Sequence, residues 1–226
     1  MNLRGIVPGA LLEPTAIMPN PATAPLSPAH TALVLIDLQR GITGFGRAPH
    51  EAGTVLRHAA LLAERFHAID ALVVRVKVGW SADFADSLKQ TTDQPAPLPP
   101  GGLPTDWWDD PAELPTGERD LRIVKRQWNA FHGTELDLQL RRRGITTLVL
   151  GGIVTHVGVE GTARAAWERG YQLYIAEDAC SAPLEEPHRM SMKYVMPRLG
   201  HVRSTQEILT LLPDRSAPSP TVSGLW

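Results

Sequence analysis

The chain has 226 residues, 43% of them apolar and 20% charged, with 22 Lys and Arg against 24 Asp and Glu for a formal net charge of −2. Such a composition suits one globular domain with a sizeable core, and the near-balanced charge gives no footing for nucleic acid or an anionic membrane surface as partner. No apolar run reaches transmembrane length, no signal peptide is read, and the single cysteine, Cys180, excludes an intramolecular disulfide and fits a reducing cytoplasm.

Residues 1–30 hold Pro8, Pro14, Pro19, Pro21, Pro25 and Pro28 and read as an extended arm; residues 213–226, with Pro218 and Pro220, read as a similar tail. Between them, residues 31–212 alternate strand and helix. Residues 31–37 (TALVLID) form a strand-length apolar run. Val55, Leu56, Ala59, Leu62, Ala63 and Phe66 recur at helical spacing over residues 51–69. A second strand follows over 71–78 and a short third one over 121–125, with a Pro-, Gly- and Asp-rich stretch from 91 to 115 between them. That stretch carries Trp107 and Trp108 and is long enough to suggest a lid. Helices over 133–143 and 157–169 each close on a glycine, Gly144 and Gly170, a common left-handed cap. They alternate with strands over 146–152 and 171–177. A helix over 186–196 is expected to stop before Pro197, a sixth strand spans 201–203, and Ser204 with Glu207 forms a capping-box pattern opening a last helix. The alternation predicts a three-layer α/β/α sandwich around a mostly parallel, six-stranded, Rossmann-like sheet.

In such sheets the active site lies beyond the carboxyl ends of the strands, which singles out Asp37, Lys125 and the loop 152–158. Asp37 ends an apolar strand. Taken by itself it reads first as a helix cap or turn residue, while partial desolvation would also raise its pKa and suit a general acid. Lys125 ends RIVK and reads first as a surface lysine, or as a partner for Asp37. The segment GGIVTHVGVE runs from strand into helix, where unpaired backbone N–H groups favour anions and oxyanions and two glycines permit close approach. A plain tight turn explains it equally. It matches neither the dinucleotide glycine fingerprint nor a P-loop, so no nucleotide cofactor is expected.

Three segments together carry a resemblance: VLIDLQRG; the run from IVKRQWNAFHG to ARAAWERGY; and IAEDACSA. In order, spacing and strand placement they resemble the isochorismatase-like hydrolases, the cysteine hydrolase superfamily, over roughly residues 31–212. The resemblance places that family's catalytic Asp on Asp37, its Lys on Lys125 and its cysteine nucleophile on Gly158. It also implies a non-proline cis peptide before Val154, with the N–H groups of Val154 and Gly158 as oxyanion donors.

Glycine at 158 closes the acyl-enzyme route of the family's amidases. Isochorismatases resemble this chain there, carrying glycine in an HxG segment and cleaving a vinyl ether without a covalent nucleophile. The resemblance thus implies hydrolysis of a small metabolite with Asp37 as general acid and Lys125 balancing charge. The alternative is a catalytically inactive metabolite-binding or oligomeric scaffold member. Gln39, Trp80, Trp128, Phe131, Thr155 and His156 flank the predicted site as candidate pocket residues, although core packing or solvated loops explain each as well. Arg164 reads as a structural ion pair and Cys180 as a small buried hydrophobe. The histidines show no close ligand spacing, so neither metal nor cofactor is expected. The family resemblance implies a homodimer or homotetramer, and the proline-rich arm would suit a wrap around a neighbouring subunit.

Overall fold

A computed structural model describes residues 24–95 and 99–214. Most of the expected proline-rich arm and tail, residues 1–23 and 215–226, lies outside them. The arm's last residues run along the body: Leu26 is buried, and its N–H meets the Leu211 carbonyl at 2.7 Å.

The strands are β1 (Thr31–Ile36), β2 (Leu72–Val78), β3 (Leu121–Lys125), β4 (Thr147–Ile153), β5 (Gln172–Ser181) and β6 (His201–Arg203). They form one sheet in the order β3-β2-β1-β4-β5-β6, every neighbouring pair parallel. The expected six-stranded α/β sheet is therefore present, and it is parallel throughout. The helices are α1 (Arg40–Thr43), α2 (Ala52–Ala68), α3 (Leu136–Arg142), α4 (Glu160–Glu168), α5 (Glu185–Met190), α6 (Met196–Leu199) and α7 (Thr205–Leu211).

All six residues of β1 are buried, because a central parallel strand is covered on both faces. Its pleat divides them. Leu33 and Leu35 face Val55, Ala59, Leu62 and Phe66 of α2 and Ile208 of α7. Val34 and Ile36 face Leu136 and Leu140 of α3, Ala163 and Ala166 of α4, and Met196 of α6. The six apolar residues picked out at helical spacing in α2 are its buried ones. Gly144 and Gly170 sit at φ of 67° and 80°, the left-handed caps expected of them, and both hydrogen bonds of the Ser204–Glu207 capping box are formed.

Three boundaries differ from expectation for local reasons. β5 runs on to Ser181, so Cys180 is not beyond the strand but within it, paired with Gly152 of β4. The helix over 157–169 begins with a π turn, Thr155–Val159, before α4. The helix expected to end before Pro197 passes through a second π turn, Ser191–Val195, and continues as α6. Pro197 falls in the first turn there, where a missing N–H costs no hydrogen bond.

The stretch 91–115 read as a lid is tied down near its C-terminal end. Trp107 Nε1 donates to the Val78 carbonyl at 2.7 Å, and the N–H groups of Arg40 and Gly41 donate to the carbonyls of Asp109 and Trp107. Arg75, buried in β2, lies 3.0 Å from Asp110 and 3.6 Å from Asp120 and donates to the Pro115 carbonyl at 2.8 Å. Arg75→Met removes the shared cation and leaves carboxylates in a poorly solvated place. Unfolding stability is expected to fall by about 3 kcal/mol, read as a lower urea midpoint; an unchanged midpoint would show that the ion pairs do not hold this segment.

Candidate active site

The strand order reverses direction between β1 and β4, and in a parallel sheet the carboxyl ends at such a reversal are where a site is built. Asp37 directly follows β1, and the chain leaves β4 through a cis peptide between Ile153 and Val154 into the π turn carrying Gly158. Asp37 itself adopts φ of 55°, an uncommon conformation for a residue with a side chain. Its N–H is held by the Val76 carbonyl at 2.9 Å. Gly152 lets β4 approach β1 closely, since a Cβ there would lie 2.1 Å from the Ile36 carbonyl oxygen.

Lys125, the last residue of β3, pairs with Val78 and reaches past the end of β2. Its Nζ lies 2.7 Å from Asp37 Oδ2 and donates to the Trp128 carbonyl at 2.6 Å. Asp37 is 5% exposed and Lys125 1%. Burial pushes the Asp37 carboxyl up to about 6, against the charge and hydrogen bond of Lys125, which pull it down. Asp37 Oδ1 is buried with no hydrogen-bond partner. A Cβ on Gly158 would stand 3.0 Å from Asp37 Oδ2 and 3.2 Å from Lys125 Nζ, so this glycine faces the pair directly. Asp37, Lys125 and Gly158 are therefore brought together from three separate strand ends.

The flanking residues sort differently. The Gln39 amide is used in full: Nε2 donates to the carbonyls of Val78 and Trp107, and Oε1 accepts from the Val78 N–H. It is a clamp between β1, β2 and the Trp107 segment, not a group free for a ligand. Phe131 packs in the core against Tyr171, under the Arg169 guanidinium, and does not join the site. Trp128 contributes its carbonyl to Lys125 while its indole is exposed. Trp80 donates from Nε1 to the Arg126 carbonyl and stacks near Trp107. His156 is half-buried with Nδ1 unpartnered; burial holds its imidazole below the usual range, against the pull of Glu160. Arg164 makes the expected structural ion pair, with Glu160 at 2.9 Å. Cys180 is fully buried, and desolvation drives its thiol well above the ordinary range, so it offers no thiolate.

Thr155 turns away from Asp37. Its hydroxyl contacts the Ser181 carbonyl and His188, and His188 and His50 both meet Glu177. This cluster escapes the sequence reading, because its members are 127 and 11 residues apart and only the fold unites them.

An all-parallel six-stranded sheet covered by helices on both faces is the fold of the isochorismatase-like hydrolases. The isochorismatase domain model matches residues 31–207, and the chain belongs to the isochorismatase family. It is 54% identical over 182 residues to the uncharacterized isochorismatase family protein YecD of Escherichia coli O157:H7, covering 80% of this chain and 96% of that one. It is 31% identical over 212 residues to the ureidoacrylate amidohydrolase RutB of Acinetobacter baylyi, covering 84% and 86%. An isochorismatase family protein from Burkholderia thailandensis superposes with a TM-score of 0.77 at 38% identity, covering 84% of this chain and 98% of its own. Among the described residues, no helix is long and apolar enough to cross a membrane.

Proposed function

We propose that this hydrolase acts on a small metabolite by noncovalent acid catalysis of the vinyl-ether type, with Asp37 as the acid. The observation that carries the reading is the division of labour on one buried carboxyl. Oδ2 is taken by Lys125 at 2.7 Å, and Oδ1 has no partner. A proton held on Oδ1 has no competing acceptor among the described residues. Gly158, which faces the pair, offers no nucleophile, and the Cys180 thiol is sealed in the core.

On an enol ether, Asp37 would deliver its proton to the terminal methylene carbon, leaving an oxocarbenium ion. Water adds to the ether-bearing carbon of that ion and returns a proton to the carboxylate, giving a hemiketal. The hemiketal then collapses to pyruvate and the free alcohol. Lys125 offsets the carboxylate charge while the proton is away, and the low-dielectric surroundings strengthen that effect. The assay is pyruvate release from isochorismate, coupled to a dehydrogenase; absence of turnover there and on other enolpyruvyl ethers would defeat the reading.

The pH dependence has a definite sign. The working form is the protonated carboxyl, and the Asp37 pKa is about 6. We expect kcat/KM to hold level on the acid side and to fall about tenfold per pH unit above that point. A rate that climbs from pH 6 to pH 8 would assign the work to a carboxylate and overturn the acid role.

A further inference from the structure

We propose that His50, Glu177 and His188 form a binding site for a divalent transition-metal ion, zinc first among them, separate from the Asp37–Lys125 pair. His50 lies between α1 and α2, Glu177 in β5 and His188 in α5. His188 Nε2 is 2.9 Å and His50 Nε2 3.1 Å from the same oxygen, Glu177 Oε1, and the two rings meet edge to face with centroids 5.9 Å apart. One donor atom from each residue lies within 4.8 Å of the others.

The contacts around the trio suit an ion between them. The Thr155 hydroxyl lies 3.0 Å from the Ser181 carbonyl and 2.8 Å from His188 Nδ1. With its proton on the carbonyl, Thr155 Oγ1 accepts from Nδ1–H, and the Nε2 lone pair of His188 is aimed at Glu177 Oε1, where a metal ion would join the two donors. In the other tautomer Nε2–H donates to Glu177 directly, an arrangement that a metal titration would report as no binding. A threonine that orients a histidine through Nδ1 is the outer-shell partner that metal-bound imidazoles ordinarily have. Donors about 2.0–2.2 Å from a tetrahedral zinc ion stand roughly 3.3–3.5 Å apart, a few tenths of an ångström from the 2.9 Å and 3.1 Å of the two His–Glu177 spacings.

The access is also right. His188 is 1% exposed, while His50 and Glu177 are 26% and 34% exposed on their side chains. The trio borders an open cleft of about 400 Å³ rimmed by Glu185, Arg189 and Lys193, which would leave a coordination position open to water or a small anion. Two imidazoles and one carboxylate select zinc, cobalt or nickel over calcium or magnesium. Through His188 and Thr155 a bound ion would brace the first residue of the π turn that ends on the Gly158 side of the active site, so its role would be to position that loop.

The test uses the full chain without a histidine tag, stripped with a chelator and titrated with Zn²⁺ by calorimetry and with Co²⁺ by visible absorption. One ion per chain is expected, with the d–d bands of a low-symmetry Co²⁺ site. His188→Gln and Glu177→Gln should each weaken binding at least tenfold. His50→Gln keeps the buried Thr155–His188 contact and serves where the other variants fold poorly; the same tenfold loss is expected. No binding to the stripped protein, or binding that the folded variants weaken less than tenfold, overturns the proposal and leaves the trio a hydrogen-bonded His–Glu–His cluster.

Discussion

Asp37→Asn is expected to lower kcat for vinyl-ether hydrolysis by about 10²–10⁴-fold with little change in KM. The amide keeps the size of the carboxyl, and its oxygen can still accept from Lys125, which the wild-type structure places 2.7 Å away. What it lacks is an acidic proton. The substitution acts on two opposed terms of stability. It removes a carboxylate that is costly to bury, and it leaves the Lys125 ammonium, 1% exposed, with neutral partners only. The rate must therefore be measured together with urea unfolding, at a denaturant-free concentration where the variant is folded. A folded Asp37→Asn protein that retains more than a tenth of the wild-type rate would remove Asp37 from the chemistry. Residual turnover well below that level, with KM preserved, is the signature of a group that acts only in the transition state.

The outcome of the sequence reading follows the range of the interactions involved. Strand and helix periodicity is local, and the buried face of α2 could be named residue by residue from spacing. The caps at Gly144, Gly170 and Ser204 depend on a few neighbouring residues and were equally legible. Asp37, Lys125 and the 152–158 loop could be singled out because the ends of parallel strands converge by topology. The π turns were not legible. They place an extra residue within a helix that composition describes as uniform, and it is the contacts of Thr155 and Ser191 that accompany them: Thr155 binds Ser181 and His188, and Ser191 binds Glu160. Side-chain roles near the site were the least legible. Gln39 and Phe131 stand close to it in sequence, yet one is a clamp and the other core, because burial direction depends on which layer covers each face. The His50–Glu177–His188 cluster leaves no local pattern at all.

Gly158→Ala is the sharpest test of why this position is glycine. Its backbone is not in the left-handed region, so an alanine can adopt the local conformation, and helix propensity favours the change by up to about 1 kcal/mol. Space opposes it. The new methyl would lie 3.0 Å from Asp37 Oδ2, 3.1 Å from Ile36 Cγ2 and 3.2 Å from Lys125 Nζ, and these neighbours would have to yield by a few tenths of an ångström. Overpacking of that kind costs about 1–3 kcal/mol, which the propensity gain offsets in part, leaving an expected loss of stability of about 0–2 kcal/mol. Activity has no such compensation. On the proposed mechanism the methyl would displace the carboxyl that protonates the substrate and crowd the side from which Gly158 faces it. A loss on the order of 10²-fold in kcat/KM is expected. Loss of activity with a preserved urea midpoint would make the glycine a requirement of the chemistry. Wild-type activity in the alanine variant would mean that the substrate reaches Asp37 from another side, and that the absence of a side chain at 158 plays no part in the reaction.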